Sequence, residues 1–139
     1  MTAMDAVNLD TSTGIAFVME GSPLRAGLQA YIGGRAMLLC ATADREFRNA
    51  VGRYGGPIEQ ARARRFLARI TAVPDGPSPR AAALRPTNHL GLEDIIIFGT
   101  GDALDLVTLT GDGQALRSAA GQGVTFAAFL HAPGRLTGQ

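Results

Sequence analysis

The chain alternates between short, uniformly apolar runs and longer segments in which apolar residues recur every three or four positions. The apolar runs are AVNL (6–9), AMLLCA (36–41), ITAV (70–73), DLVTLT (105–110) and VTFAAFL (124–130). Runs of four to seven residues without polar alternation predict strands covered on both faces, as in a parallel sheet. Between them lie helical patterns. Thr11 or Ser12 is expected to cap a helix over about 13–20, and Ser22-Pro23 to open a second that stops at Gly33-Gly34. Thr42 opens a third, to about Arg53, with Phe47, Ala50, Val51 and Tyr54 on one face. Pro57 opens a fourth that turns Ala63, Phe66, Leu67 and Ile70 inward and sets Arg62, Arg65 and Arg69 in a row beside them. Residues 74–88 hold four of the seven prolines and read as a loop, with Ser78 capping a short helix over Ala81 to Leu84. Gly113 to Ala120 reads as a last helix. The segment DIIIFG (94–99) fits a buried strand, yet Leu92, Ile95, Ile96 and Gly99 also share one helical face; periodicity leaves both open. Strands interleaved with amphipathic helices predict an α/β layer fold with a mainly parallel sheet.

Composition narrows the class. The 139 residues, 46% hydrophobic and 18% charged, suit one globular domain spanning 1–139. No apolar run approaches the roughly 20 residues of a membrane span. The opening MTAMDAVNLD lacks the basic and apolar regions of a signal peptide. The single cysteine, Cys40, lies in an apolar run and reads as a buried, inert thiol. A cytoplasmic location is the expectation.

Charge is unevenly distributed. All thirteen basic residues are arginine, which excludes a Schiff-base or P-loop lysine. Seven arginines and two acids lie between Arg45 and Arg69, whereas His89 to Asp112 carries five of the twelve acids and no arginine. Carboxylates crowded into apolar sequence repel one another unless a cation neutralises them.

Four acids stand where a sheet would gather them. Asp10 and Asp112 end apolar runs, and ligand sites in open parallel sheets form beyond the carboxyl ends of strands. Glu46 lies early in the third helix. Asp94 would open a helix if DIIIFG is one, where a carboxylate complements the helix N-terminus. Hard oxygen ligands of this kind suit Mg²⁺ or Mn²⁺, which would activate water against a phosphodiester. Each acid also has a plainer role: Asp10 as a cap, Glu46 as a solvated charge beside Arg45 and Arg48, Asp94 as a helix-start charge, Asp112 as a turn residue in TGDG. The metal reading rests on the ordered set.

That ordered set, VNLDTS, TADREFRNAV, LEDIIIFGTG and VTLTGD, resembles the PIN domain over nearly the whole chain, from about Asn8 to Phe129. GGPIEQARARRFLARITAVPD and the sequence from IIIFGTG onward look closer still to an uncharacterised PIN-like branch, found as the C-terminal domain of larger eukaryotic proteins. The resemblance implies a three-layer α/β/α fold in which DIIIFG is helical. It implies metal-dependent endoribonuclease chemistry, with Asp10, Glu46, Asp94 and Asp112 as the catalytic metal ligands and Mg²⁺ or Mn²⁺ as cofactor. Thr11, Ser12 and Thr110 would orient those carboxylates. The small single-domain members are VapC-type toxins, so the partners implied are RNA, an antitoxin protein and a second copy of the chain. One departure is TGDGQAL, where such toxins continue with an aromatic-rich TxDxxF run.

Arg45, Arg48, Arg62, Arg65 and Arg69, with Arg53, would neutralise RNA phosphates, or form a solvated helix face. Aromatic residues sit mostly at core spacings, so no base-stacking platform is visible. Gly99-Thr100-Gly101 lacks the third glycine of a dinucleotide fingerprint. His89 and His131 are too isolated to suggest zinc. The rival readings are a catalytically silent PIN-like module that binds RNA or protein, and a Rossmann-like small-molecule enzyme.

Overall fold

The structure of the protein, a computed structural model, describes residues 5–139. Residues 1–4, the start of the MTAMDAVNLD stretch, lie outside the described residues. Five strands, β1 (Ala6–Leu9), β2 (Ala36–Cys40), β3 (Ile70–Val73), β4 (Thr108–Thr110) and β5 (Ala128–Leu130), form one sheet in the order β3-β2-β1-β4-β5. Every neighbouring pair is parallel. The chain steps outward from β1 to β3 through α1 (Thr11–Val18), α2 (Arg25–Ile32), α3 (Ala41–Tyr54) and α4 (Pro57–Ala68). It then returns past β1 to β4 and β5 through α5 (Pro79–Ala82), α6 (Leu92–Ala103) and α7 (Gly113–Gly121). Parallel crossovers are right-handed, so reversing the direction of travel moves the helices to the other face. The reversal lies between β1 and β4, and a crevice opens at such a point beyond the strand ends.

Two apolar clusters fill the layers. One packs Phe17, Leu28, Phe47 and Phe66 from α1 to α4 against Val7 and Leu39 of the sheet. The other gathers Leu90, Ile95, Phe98, Ala115, Ala119 and Phe126. Two glycines set how closely helices approach. A Cβ on Gly14 would lie 2.7 Å from the Phe47 ring, and one on Gly101 would lie 2.7 Å from Asn8 Nδ2. The first lets α1 press on α3, and the second lets α6 lie on β1 and β4. Asn8, fully buried in β1, donates to Ile97 O at 3.1 Å and Thr108 Oγ1 at 3.0 Å, tying the same three elements together.

Several expectations shift. DIIIFG is helical, within α6: Gly91 and Asp94 form a capping box that starts the helix before Ile95. The strand expected over 105–110 contracts to Thr108–Thr110 because Asp105 adopts φ 58° in the turn that closes α6. The strand expected over 124–130 shortens likewise, to Ala128–Leu130. Asp10 itself, rather than Thr11 or Ser12, caps α1. Ser22 does not cap α2, which starts at Arg25; its hydroxyl donates to Ala16 O at 2.6 Å instead. Tyr54, expected on the buried face of α3, is 62% exposed at the last residue of that helix.

Candidate functional site

The C-terminal ends of β1 and β4 carry the site. Each strand stops at a helix start, so its last carboxylate also serves as a cap. Asp10 is the N-cap of α1, its Oδ1 accepting from Thr11 N at 2.8 Å. Asp112 is the N-cap of α7, its Oδ1 accepting from Ala115 N at 3.0 Å. Asp94, on the first turn of α6, accepts from Gly91 N at 2.8 Å. Glu46 reaches in from the second turn of α3.

Hydroxyl groups hold two of these acids, Asp10 and Glu46. Thr11 Oγ1 donates to Glu46 Oε1 at 2.9 Å, joining α1 to α3. Ser12 Oγ and Thr110 Oγ1 both donate to Asp10 Oδ2, at 2.9 and 2.7 Å. Each of those oxygens in turn accepts a backbone N–H of the β4–α7 turn: Gly111 N at 2.9 Å on Ser12 Oγ, Asp112 N at 3.0 Å on Thr110 Oγ1. Thr11, Ser12 and Thr110 each spend their one hydroxyl proton on an acid oxygen.

The electrostatics are those of a site short of positive charge. Asp10 is 5% exposed; burial drives its pKa upward against three hydrogen bonds, and Asp112 adds repulsion. Glu46 is raised by burial, with Asp10 and Glu93 repelling it and Arg45 partly offsetting them. Asp94 is pushed up to about 6, chiefly by burial and then by Asp10, Asp112 and Glu46. The four acids therefore sense one another. The donor set is all hard oxygen, and its mutual repulsion is what a divalent cation relieves, so its chemistry fits Mg²⁺ or Mn²⁺. As the side chains stand, no three His, Cys, Asp or Glu among the described residues are grouped closely enough to hold a metal ion.

The other acids of the 93–112 stretch are engaged elsewhere or face solvent. Asp102 pairs with Arg80 at 2.6 Å and accepts from Ser78 Oγ at 2.6 Å. Glu93 and Asp105 are exposed. Among the arginines, Arg45, Arg65 and Arg69 are exposed, and Arg48 pairs with Asp44 at 2.9 Å. Arg62 departs from the expected solvent row: it turns inward, donating to Val18 O at 2.9 Å and lying 3.6 Å from Glu20.

Two residues have contacts that sequence spacing does not signal. His131 follows β5; its N–H donates to Thr110 O at 2.9 Å, and its Nε2 lies 2.8 Å from Thr13 Oγ1. Thr13 Oγ1 also donates to Leu109 O at 2.8 Å, and His131 Nδ1 lies 2.8 Å from Ala132 O. His131 thereby fastens β5 and α1 to β4 directly beneath the acids. It also lines a cleft of about 600 Å³ with Asp112, Gln114 and Arg117. Glu59, fully buried on α4, was counted as one acid in a basic stretch. It accepts from Glu20 N, Gly56 N, Thr137 N, Thr137 Oγ1 and Gly138 N. No local pattern signals this, because four of the five donors come from residues distant in sequence.

Five parallel strands in this order, flanked by helices on both faces, with an acid at the end of β1 and another just past β4, define a PIN-like three-layer α/β/α fold. The fold is shared with a chain of VapBC2 from Rickettsia felis, solved bound to a DNA fragment from its promoter; the two align with a TM-score of 0.56 at 12% identity, over 76% of this chain and 87% of that one. The chain belongs to the DUF1308 family, described as proteins of unknown function, whose model matches residues 17–139. Glu46, Asp94 and Asp112 lie inside the matched region, and Asp10 just ahead of it.

Proposed function

We propose that the protein is a divalent-metal-dependent endoribonuclease whose centre is formed by Asp10, Glu46, Asp94 and Asp112. The observation that supports this most is the convergence of four repelling carboxylates at the sheet's reversal point, with hydroxyls and not arginines bonded to Asp10 and Glu46. These four would hold Mg²⁺ or Mn²⁺, which when bound supplies charge neutralisation and activation of water at a phosphodiester. Thr11, Ser12 and Thr110 fix the orientation of Asp10 and Glu46. Asp94, with a pKa of about 6, gives up a proton readily near neutrality once a cation is present. Arg45, Arg65 and Arg69 would meet RNA phosphates from α3 and α4. A toxin role with a cognate antitoxin is supported by likeness in fold to a chain of VapBC2.

A second reading is a catalytically silent module that binds RNA or protein, favoured by the absence, among the described residues, of three acids already grouped for a metal. Titration calorimetry with Mn²⁺ and a Mn²⁺-dependent RNA cleavage assay separate the two. The nuclease reading expects saturable Mn²⁺ binding and cleavage, both lost in Asp10→Asn and Asp94→Asn. Wild-type protein that binds no Mn²⁺ overturns it in favour of the silent module.

A further inference from the structure

We infer that the cleft between α1, α3 and the C-terminal segment is a nucleotide subsite for single-stranded RNA, one helical turn beyond the carboxylates; the inference rests on the ribonuclease reading above. The cleft, about 370 Å³, is lined by Ile15, Ala50, Tyr54, Arg135 and Leu136. Ile15 follows Thr11 by one turn of α1, and Ala50 follows Glu46 by one turn of α3. The two residues that floor the cleft therefore continue the faces joined by the Thr11–Glu46 hydrogen bond.

Its chemistry is that of a nucleotide. Tyr54 is the most exposed large hydrophobic residue among those described, at 62%, and presents the stacking surface that sequence spacing did not reveal. The Arg53 guanidinium stands 5.8 Å from the centre of that ring, and Arg135 lines the same cleft. Neither arginine pairs with an acid among the described residues. An apolar floor, one exposed aromatic ring and two unpaired cations match a base with its flanking phosphates, the combination by which proteins hold single strands. An apolar peptide would leave both cations unused.

The wall bearing Arg135 is firmly built. The Glu59 carboxylate accepts three hydrogen bonds from Thr137 and Gly138, just beyond Arg135 in the chain. Gln139 O accepts from Glu59 N at 3.0 Å. Gly56 admits the strap: a Cβ there would strike Gly138 O. Leu136 packs on the main apolar cluster. The buried carboxylate that sequence reading overlooked thus holds Arg135 beside Tyr54.

The test is fluorescence anisotropy of a labelled short single-stranded RNA with the full chain in EDTA, so that binding is read apart from cleavage. Tyr54→Ala is expected to weaken binding about 5- to 150-fold, the range of one base stack, while Tyr54→Phe binds as wild type. Arg135→Ala is expected to weaken all sequences alike and to reduce the salt dependence by about one phosphate contact. Both substitutions are at exposed side chains, and unchanged thermal unfolding verifies the fold. If wild type binds RNA and both variants bind it equally well, the subsite is overturned and the ribonuclease reading stands. If polyglutamate competes with RNA and loses its hold in Tyr54→Ala, the occupant is an acidic peptide and the RNA assignment falls. If wild type binds no RNA in EDTA, the subsite is overturned, while the ribonuclease reading stands or falls separately on Mn²⁺ binding and cleavage.

Discussion

Asp94→Asn should make the protein more stable at neutral pH. In the folded chain Asp94 is raised from 3.8 to about 6, mainly by burial and further by Asp10, Asp112 and Glu46. The folded state thus holds the Asp94 proton more tightly than the unfolded chain does. The contribution of this group to stability is therefore greatest below pH 4, falls as pH rises between about 4 and 6, and stays reduced above that. Two pH units correspond to about 3 kcal/mol; because the group is partly exposed, solvent screening reduces this to about 1–2 kcal/mol. Asparagine keeps an oxygen for the Gly91 N–H, a 2.8 Å bond, so the cap survives while the charge goes. Urea unfolding of both proteins at pH 4 and pH 7 measures the difference. The Asp94→Asn variant should gain about 1–2 kcal/mol over wild type at pH 7 and close to none at pH 4. Mn²⁺ should reverse the order, because only an ionised centre binds it, and saturation at a hundred times Kd adds about 2.7 kcal/mol. A variant that is less stable at pH 7, or a difference that ignores pH, would refute the claim that the four carboxylates are electrostatically strained.

Other outcomes follow from the same structure. Burial would raise Glu59, but bonds from Thr137, Glu20 and Gly56 outweigh it and bring the carboxyl to about 2 from 4.5; Glu59→Gln should cost about 3 kcal/mol in urea unfolding at pH 7. That stabilisation is complete above pH 4.5 and is lost as pH falls toward 2, so the two proteins should converge in acid. Gly101→Ala sets a Cβ 2.7 Å from Asn8 Nδ2 and should destabilise by about 1–3 kcal/mol, read as a lower urea midpoint. Cys40 is fully buried with its thiol pushed by burial up to about 11; it should react with a disulfide reagent at the rate of unfolding, and fast labelling of native protein would contradict its placement.

What sequence revealed and what it hid divide along a physical line. Elements whose signal is local were legible: Gly33, at φ 58°, closes α2 at the expected place, Pro57 opens α4, and β2 and β3 coincide with uniformly apolar runs. Strand lengths at β4 and β5 were not, because pairing partners and not composition decide where a ladder ends. The direction of Arg62, the Arg80–Asp102 pair and the Glu59 knot were equally hidden. Each depends on a partner more than 20 residues away, and the backbone amides that serve Glu59 carry no sequence signature at all. The four acids were legible by order, whereas their linkage through Thr11, Ser12 and Thr110 required the resemblance.

The charge segregation along the chain becomes a division of labour among helix ends. Asp10, Asp112 and Asp94 sit at the N-termini of α1, α7 and α6, where the helix dipole favours negative charge. Arginines serve the opposite ends: Arg25 donates to Phe17 O and Met19 O, Arg62 to Val18 O, and Arg35 to Ile32 O and Tyr31 O. Charge spent on helix carbonyls is unavailable to the carboxylates, so Arg25, Arg35 and Arg62 do not offset the acid site. It also bears on how that site must be probed. Every acid but Glu46 has a structural duty as a cap, so an alanine variant loses both charge and cap, the latter worth about 1 kcal/mol. Asparagine caps as well as aspartate. Loss of Mn²⁺ binding in an alanine variant would therefore fit either a metal ligand or a frayed helix, while the same loss in a stabilised asparagine variant fits only the missing charge.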